Sequence, residues 1–403
     1  MNLEDIGWRI FDAGANAWFD TPSQTAGAAL VDRIAELADE HGLPNVDLRT
    51  TGVRVRIAGS ASYNPHELAL EISAAAEDLG LAPDPASLQV MRLVIDAVDP
   101  TSFRTFWQTV LDYEPVWPAD LVDPLRRDPA ISFQHLDEPR PVRNRIHVDV
   151  SRSPEAVDAA KAALGRTTYG AYDLTIADDE GNEIDLVPAD DLPGTTDWRT
   201  QFGAMTFYAT ASPAQASRLA TAVAGLADDA CIPVLVDLCP AGVTIDSGKD
   251  QWETDEGGAD PGFVKLAARI EAAAHELDLR PDPTRLRFIQ LGFDAIDVPA
   301  VRAFWTTVLG YRHDPRAGLS DIYDPRRLNP VLFFQQLAEP RQQRNRVRLE
   351  LAVPSDQVQS RIDAGLSAGG SIVGEQPHER CTLADPEGNE VDLVLPPWSA
   401  QET

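Results

Sequence analysis

The sequence predicts an α+β fold set out twice: paired β-α-β-β-β modules, each pair preceded by a shorter α+β unit. Three observations predict it. First, long stretches recur in the same order. Phe106-Trp107-Gln108-Thr109-Val110-Leu111 returns as Phe304-Trp305-Thr306-Thr307-Val308-Leu309. Arg143-Asn144-Arg145-Ile146-His147-Val148-Asp149 returns as Arg344-Asn345-Arg346-Val347-Arg348-Leu349-Glu350, and Gly181-Asn182-Glu183-Ile184-Asp185-Leu186-Val187 as Gly388-Asn389-Glu390-Val391-Asp392-Leu393-Val394. The offset grows slowly along the chain, as in a tandem duplication with small loop insertions. It is far longer than a solenoid repeat of about 20–50 residues. Second, each recurring stretch reads as strand, helix and three strands, and then restarts. Third, Leu81-Ala82-Pro83-Asp84-Pro85 and Leu279-Arg280-Pro281-Asp282-Pro283 break both halves at the same place.

The elements follow in order. Trp8–Phe11 and Ala17–Asp20 flank Asp12-Ala13-Gly14, a hairpin signature. Pro22–Asp39 carries Ala26, Ala29, Leu30, Ile34 and Leu37 at helical spacing. Val46–Arg49 and Val53–Ile57 read as short strands around Gly52, and Pro65–Gly80 as a helix stopped by Gly80. The first paired unit expects a strand at Val90–Val98, a helix at Pro100–Leu111, and strands near Leu121 and at Ala130–Leu136. It restarts with strand Arg145–Val150, helix Pro154–Leu164 and strands Tyr172–Asp178 and Glu183–Val187. Pro188–Gly194 reads as a hinge between halves. A helix over Pro213–Ala227, strands Val234–Leu238 and Val243–Asp246, and a helix over Pro261–Leu279 then repeat the opening unit more loosely. Asp246–Asp260, acidic and glycine-bearing, reads as a mobile surface loop.

A chain of 403 residues has room for about two to four domains, and 43% hydrophobic residues suffice for ordinary cores. The net charge of −30 opposes non-specific binding to nucleic acid or anionic membrane, so neither is an expected partner. Lys161, Lys249 and Lys265 are the only lysines, an arginine bias that reads as a GC-rich, actinobacterial genome. Cys231, Cys239 and Cys381 are odd in number and make no Cys-x-x-Cys, which argues against a disulfide framework or a cysteine zinc site. Met1–Ile10 has no basic-then-apolar leader pattern, and no apolar run reaches the roughly 18 residues of a membrane span. A cytoplasmic protein is expected.

The double β-α-β-β-β order, the Phe-Trp-x-x-x-Leu helix and the Asp385-Pro386-Glu387-Gly388-Asn389 hairpin resemble the vicinal oxygen chelate superfamily, in its glyoxalase-like branch. The opening units resemble pterin-4a-carbinolamine dehydratases, through Trp18-Phe19-Asp20-Thr21-Pro22, the helix after it and Val46-Asp47-Leu48-Arg49. Together the resemblances imply four domains: dehydratase-like over 1–84, glyoxalase-like over 87–190, dehydratase-like over 197–282 and glyoxalase-like over 285–397. The dehydratase site itself is degenerate. That family's chemistry needs a His-His-Pro, and this chain has His41-Gly42-Leu43-Pro44 and Cys231-Ile232-Pro233 instead. The Thr-His-Asp loop is also missing, with Ser60–Tyr63 and Asp246–Asp250 in its place. These units are expected as scaffolds, with homo-oligomerisation through them as one outcome.

Metal-dependent members of the chelate superfamily gather four ligands, from the first and last strands of two modules. Carried over, these positions fall on Arg92, Gln134, His147 and Asp185 in the first repeat. In the second they fall on Gln290, Gln335, Arg348 and Asp392. Strand alternation adds Arg145 and Glu183, with Arg346 in the second repeat, to the same polar faces. A guanidinium offers no lone pair and stays charged, so Arg92 beside His147, and Arg348 in the second set, argue against a metal. No metal and no cofactor are therefore expected. The polar groups either pair with each other as buried salt bridges or hold the polar end of a small organic ligand. Trp107 and Trp305 belong to the core or line the cleft.

Three functions remain open. One is metal-independent binding of an organic anion or aromatic metabolite, with arginines gripping the anion. Another is a lyase, isomerase or cyclase of bacterial secondary metabolism, with His147 as acid/base and Asp185 orienting it. The third is a non-catalytic assembly protein.

Overall fold

The computed structural model describes residues 2–11, 14–58, 65–116, 120–170, 172–316, 318–376 and 379–394. The Asp12-Ala13 turn, the Ser60–Tyr63 loop and the side chain of His41 lie outside the described residues. Two compact units form, and each draws on both halves of the sequence. One is built around Met1–Leu88 and Ala189–Leu286, the other around Gln89–Pro188 and Arg287–Pro396.

The first unit is a nine-stranded antiparallel sheet covered by helices. Gly14–Asp20, helix Gln24–His41, Asn45–Arg49, Gly52–Ile57 and helix Pro65–Asp78 come from one half. Ala204–Ala209, helix Pro213–Ala230, Leu235–Cys239, Gly242–Asp246 and helix Pro261–Glu276 come from the other. Ser23 and Ser212 start their helices by accepting hydrogen bonds from the backbone N–H of Ala26 and Gln215. The halves join edge to edge, Asn45–Arg49 running antiparallel to Leu235–Cys239 with Asp47 opposite Asp237. The edges of the two half-sheets at Asn45–Arg49 and Leu235–Cys239 are thus used on each other. Pro188–Gly194 is no simple hinge, because Asp190–Asp191 pairs with Arg199–Thr200 at the rim of the sheet. The acidic loop is pinned at both ends. Asp246 is buried and accepts from Gly248 N at 2.7 Å, and Asp260 caps the following helix through Phe263 N.

Two carboxylates facing each other in mid-sheet require cations. Arg54 Nε lies 2.6 Å and Arg56 Nη2 3.0 Å from Asp47, and Arg49 Nη2 lies 2.7 Å from Asp237. Burial pushes the Asp47 carboxyl up, but Arg54, Arg56 and Arg49 outweigh it and hold the group well below the usual carboxylate range. A depressed folded pKa contributes stability above the unfolded value of about 3.9, and that contribution is lost as pH falls toward the folded value. Asp47→Asn should therefore flatten the acid limb of a melting-temperature profile below about pH 4. An acid limb as steep as that of the wild type would contradict this account.

The second unit holds four modules. The first comprises Val90–Ala97, helix Pro100–Leu111, Glu114–Val116, Asp120–Val122 and Ala130–His135. The second comprises Ile146–Arg152, helix Pro154–Leu164, Thr175–Ala177 and Glu183–Pro188. The third comprises Arg287–Ala295, helix Val298–Leu309, Arg312–His313, Ile322–Tyr323 and Val331–Gln336. The fourth comprises Val347–Ala352, helix Ser355–Ser367, Ser371–Gln376, Arg380–Ala384 and Glu390–Val394. Among the described residues the second module has one strand fewer than expected; a single Tyr169–Thr175 bridge stands in for the missing pairing.

The modules pair across the repeats. Val90–Ala97 runs antiparallel to Val347–Ala352, which joins the first module to the fourth in an eight-stranded sheet. Ile146–Arg152 runs antiparallel to Arg287–Ala295, which joins the second module to the third in a seven-stranded sheet. Modules adjacent in sequence therefore stand in different sheets. This corrects the expectation that each repeat closes around its own cleft.

Two buried guanidinium groups account for the exchange. Arg145, 2% exposed, donates to the carbonyls of Arg341, Gln343 (3.0 Å) and Gly388 (3.2 Å) and to Asn389 Oδ1 (2.8 Å). Arg346, 1% exposed, donates to the carbonyls of Arg140, Val142 (3.0 Å) and Gly181 (3.0 Å) and to Asn182 Oδ1 (2.8 Å). Every partner of each group belongs to the opposite repeat. The asparagines complete the clasp, with Asn345 Oδ1 accepting from Arg145 N and Asn144 Oδ1 from Arg346 N. The hairpins behind them are tied to the core. Asp178 Oδ2 accepts from Trp107 Nε1 (3.1 Å) and Asn182 Nδ2 (2.7 Å), and Asp385 Oδ2 from Trp305 Nε1 (2.9 Å) and Asn389 Nδ2 (2.7 Å). Trp107 and Trp305 are wholly buried and belong to the core. Arg145 and Arg346, expected at a ligand, are structural because their donors are spent on backbone carbonyls.

Removing either arginine strands several buried acceptors. Arg145→Ala and Arg346→Ala should each lower unfolding stability by roughly 3–5 kcal/mol in chemical denaturation. Arg143→Ala, at a side chain half in solvent, should cost roughly 0–1 kcal/mol. Equal losses for all three would refute the clasp.

Candidate functional site

The polar residues singled out from the sequence sort by sheet, not by repeat. Arg92, Gln134, Arg348 and Asp392 share the eight-stranded sheet, and His147, Asp185, Gln290 and Gln335 the seven-stranded one. The two expected quartets have exchanged partners, because the first strand of each module pairs with one from the other repeat.

On the eight-stranded sheet the charges neutralise one another. Arg348 reaches Asp96, Asp392 Oδ2 (3.1 Å) and Gln134 Oε1 (2.5 Å). Arg92 reaches Asp120 Oδ2 (2.8 Å), Ser132 Oγ (3.0 Å) and Glu350 Oε1 (3.7 Å). Arg140 adds a 2.9 Å contact to Asp96, and Arg380 and Thr382 engage Asp392. Asp96, Arg348, Glu350 and Asp392 are buried. An anion entering here would have to displace a carboxylate from each arginine, and a cation would meet guanidinium groups that offer it no lone pair.

The seven-stranded sheet carries a different set. Asp149 stands between Asp185 and Gln290 in one cross-strand row, and His147 faces Gly292 with Phe333 beyond it. Ligand-capable atoms of His147, Asp149 and Asp185 lie within 4.8 Å of one another. His147 Nε2 is 3.5 Å from Asp149 Oδ1, so the carboxylate beside the imidazole is Asp149, not the expected Asp185. Asp185 Oδ1 accepts from Thr175 Oγ1 at 2.6 Å. Gln290 Nε2 donates to Asp149 Oδ2 at 3.1 Å, and Gln290 Oε1 is left buried without a hydrogen-bond partner. Such an orphan acceptor costs about 1–3 kcal/mol unless something donates to it or coordinates it. Imidazole, carboxylate and amide oxygen together form a donor set for a divalent cation.

Two expected members do not join. Gln335 is exposed and registers with Asp294, two residues along from the Gly292–Phe333 pair. Glu183 is engaged by Arg143 Nε and by the Tyr169 hydroxyl at 3.0 Å. Partial burial and then the Glu183 charge push the Tyr169 phenol up to about 12. Sequence reasoning put Asp149 on the His147 face without giving it a role, and missed Gly292 and Phe333. Asp149 was within reach, since it lies two residues from His147 on the same strand face. Gly292 and Phe333 gave no signal, because they meet His147 only across the repeats.

Gly292 decides where the imidazole can lie. A Cβ there would stand 2.2 Å from His147 Nε2 and 2.7 Å from Phe333 Cζ. Phe333 meets the His147 ring edge-on, with centroids 5.7 Å apart. Gly292→Ala should displace the ring, shifting the His147 Cε1 proton resonance and lowering stability by about 1–3 kcal/mol. An unmoved resonance would exclude this steric control.

Paired β-α-β-β-β modules, with first strands meeting antiparallel and candidate ligands on the sheet face, define the vicinal oxygen chelate class of protein. Residues 92–187 and 290–394 match the glyoxalase-like domain family, so the chain carries a glyoxalase-like domain of this superfamily in two segments. Among solved structures, glyoxalase I from Zea mays aligns over 76% of this chain and 93% of its own, at 12% identity and a TM-score of 0.37. A glyoxalase/bleomycin resistance protein from Albidiferax ferrireducens aligns over 26% of this chain and 95% of its own, at 20% identity and a TM-score of 0.23. The fosfomycin resistance protein FosX from Listeria monocytogenes aligns over 27% of this chain and 90% of its own, at 10% identity and a TM-score of 0.23. No curated protein matches the chain. Among the described residues, no helix is long and apolar enough to cross a membrane.

Proposed function

We propose that the chain is a small-molecule-binding protein with one working face, that of the seven-stranded sheet. There a divalent cation held by His147, Asp149, Asp185 and Gln290 would take the polar end of the ligand. The observation that carries this reading is the buried, unpartnered Gln290 Oε1 beside the His147–Asp149–Asp185 group. The metal-free site expected from the sequence rested on Arg92 sharing a shell with His147. Arg92 stands on the other sheet, bonded to Asp120 and Ser132, so that objection does not reach His147.

A cation bound there would supply Lewis acidity toward a ligand oxygen. The chain's own residues do the rest. The Thr175 hydroxyl orients Asp185, and the Gln290 amide N–H orients Asp149. Phe333 offers an aromatic wall beside His147. An organic anion or aromatic metabolite is then recognised through the cation and this wall, not through Arg348, whose donors are taken. A catalytic role for His147 oriented by Asp185 has less support, because Asp185 is engaged by Thr175.

Elemental analysis after dialysis against Mn2+ or Zn2+ tests the reading. His147→Ala should lower the bound metal by about one equivalent per chain, while Arg348→Ala leaves it at the wild-type level. Full wild-type content in His147→Ala would return the seven-stranded sheet to a metal-free site.

A further inference from the structure

We propose a second divalent-cation site, in the first unit and outside the glyoxalase-like segments, formed by Asp197, Glu271 and His275. Glu271 and His275 lie four residues apart on helix Pro261–Glu276 and so share one helix face. Asp197 comes from the stretch that leads into strand Arg199–Thr200. One ligand-capable atom from each of the three lies within 4.8 Å of the other two.

The charge balance favours a cation. Asp197 is 6% exposed, and its Oδ2 accepts from Tyr208 Oη at 2.7 Å and contacts His275 Nε2 at 2.8 Å. Glu271 accepts from Thr196 N (3.0 Å), Thr196 Oγ1 (2.7 Å) and Asp197 N (3.1 Å). Among the described residues neither carboxylate pairs with an arginine or lysine. Two carboxylates face a single imidazole, so even a protonated His275 leaves excess negative charge in a partly buried place, which is costly.

The surroundings are those of ligands held for use. Tyr208 donates its hydroxyl to Asp197, the Thr196 hydroxyl lies within reach of both carboxylates, and two backbone N–H groups fix Glu271. Hydrogen bonds of this kind orient metal ligands. The other half of the same unit folds without any of this. Its bridge to Pro83 is made by Phe19, where Tyr208 makes the bridge to Pro281. Its helix Pro65–Asp78 presents Ser73 and Glu77 where the second half presents Glu271 and His275. Ser73 Oγ accepts the buried indole N–H of Trp8 at 2.8 Å. The corresponding Trp198 Nε1 is buried without a partner, since Glu271 is turned to Thr196 and Asp197. The second half forgoes a core hydrogen bond and keeps a ligand cluster. One imidazole and two carboxylates suit Zn2+ or a neighbouring first-row ion, and half-exposed His275 leaves positions open to water.

The test is calorimetric titration of Zn2+, with Co2+ absorption as a second probe, in the full-length His147→Ala/Asp185→Asn chain. That background removes the ligands proposed for the glyoxalase-like face. About one Zn2+ should still bind per chain. Adding Glu271→Gln or His275→Ala should abolish it, and Tyr208→Phe should weaken it about 10–100-fold with circular dichroism unchanged. No Zn2+ binding in the background variant, or binding that survives Glu271→Gln and His275→Ala, overturns the proposal. The first of these results leaves the reading of the His147 face standing, because the wild-type chain would still lose metal on His147→Ala.

Discussion

The glyoxalase-like unit depends on where two arginines send their donors. A guanidinium buried without partners would be prohibitively costly. Arg145 and Arg346 avoid that cost only when the opposite repeat supplies carbonyls and an asparagine oxygen. The hydrogen bonds are directional and nearly symmetric, so one arrangement of the four modules satisfies both groups at once. Burial lowers each guanidinium's hold on its proton, and Asp385 for Arg145 and Asp178 for Arg346 work against that effect. The clasp therefore ties strand pairing, hairpin conformation and the tryptophan-bearing helices into one constraint.

That constraint has a chemical consequence. Exchanging modules gathers arginine with carboxylate on one sheet and histidine with carboxylate and glutamine on the other. The first combination is self-neutralising and has little to offer a ligand. The second leaves an orphan amide oxygen and, among the described residues, a carboxylate held by a hydroxyl. Had each repeat closed on itself, Arg92 would have faced His147. The asymmetry between the faces arises from pairing, with no change in residue content.

The first unit shows the same logic at smaller scale. Its halves share a sheet whose central acids, Asp47 and Asp237, are compensated by arginines. Away from that seam the halves differ. One fills its helix–sheet junction with Phe19 and a serine–indole hydrogen bond, the other with a tyrosine–aspartate–histidine group. Similar backbones tolerate either filling, so the polar one is not demanded by the packing.

The sequence by itself determined what local signals can carry. Helices Pro100–Leu111 and Pro154–Leu164 stand where the residues place them, because proline openings and apolar spacing are short-range. Most expected strands stand where the residues place them apart from their ends, and the Asp-x-x-Gly-Asn hairpins follow from turn chemistry. Partner choice was not legible. The first strand of every module shows alternation that suits either neighbour, and the deciding hydrogen bonds link residues 164 to 244 positions apart. Arg145 shares its alternation with His147, yet it stands just before strand Ile146–Arg152 and turns to the other repeat's carbonyls. Which arginine neutralises which carboxylate, and so which face gathers His147 with Asp149 and Gln290, is a property of packing between distant segments. Only the tertiary structure could decide it.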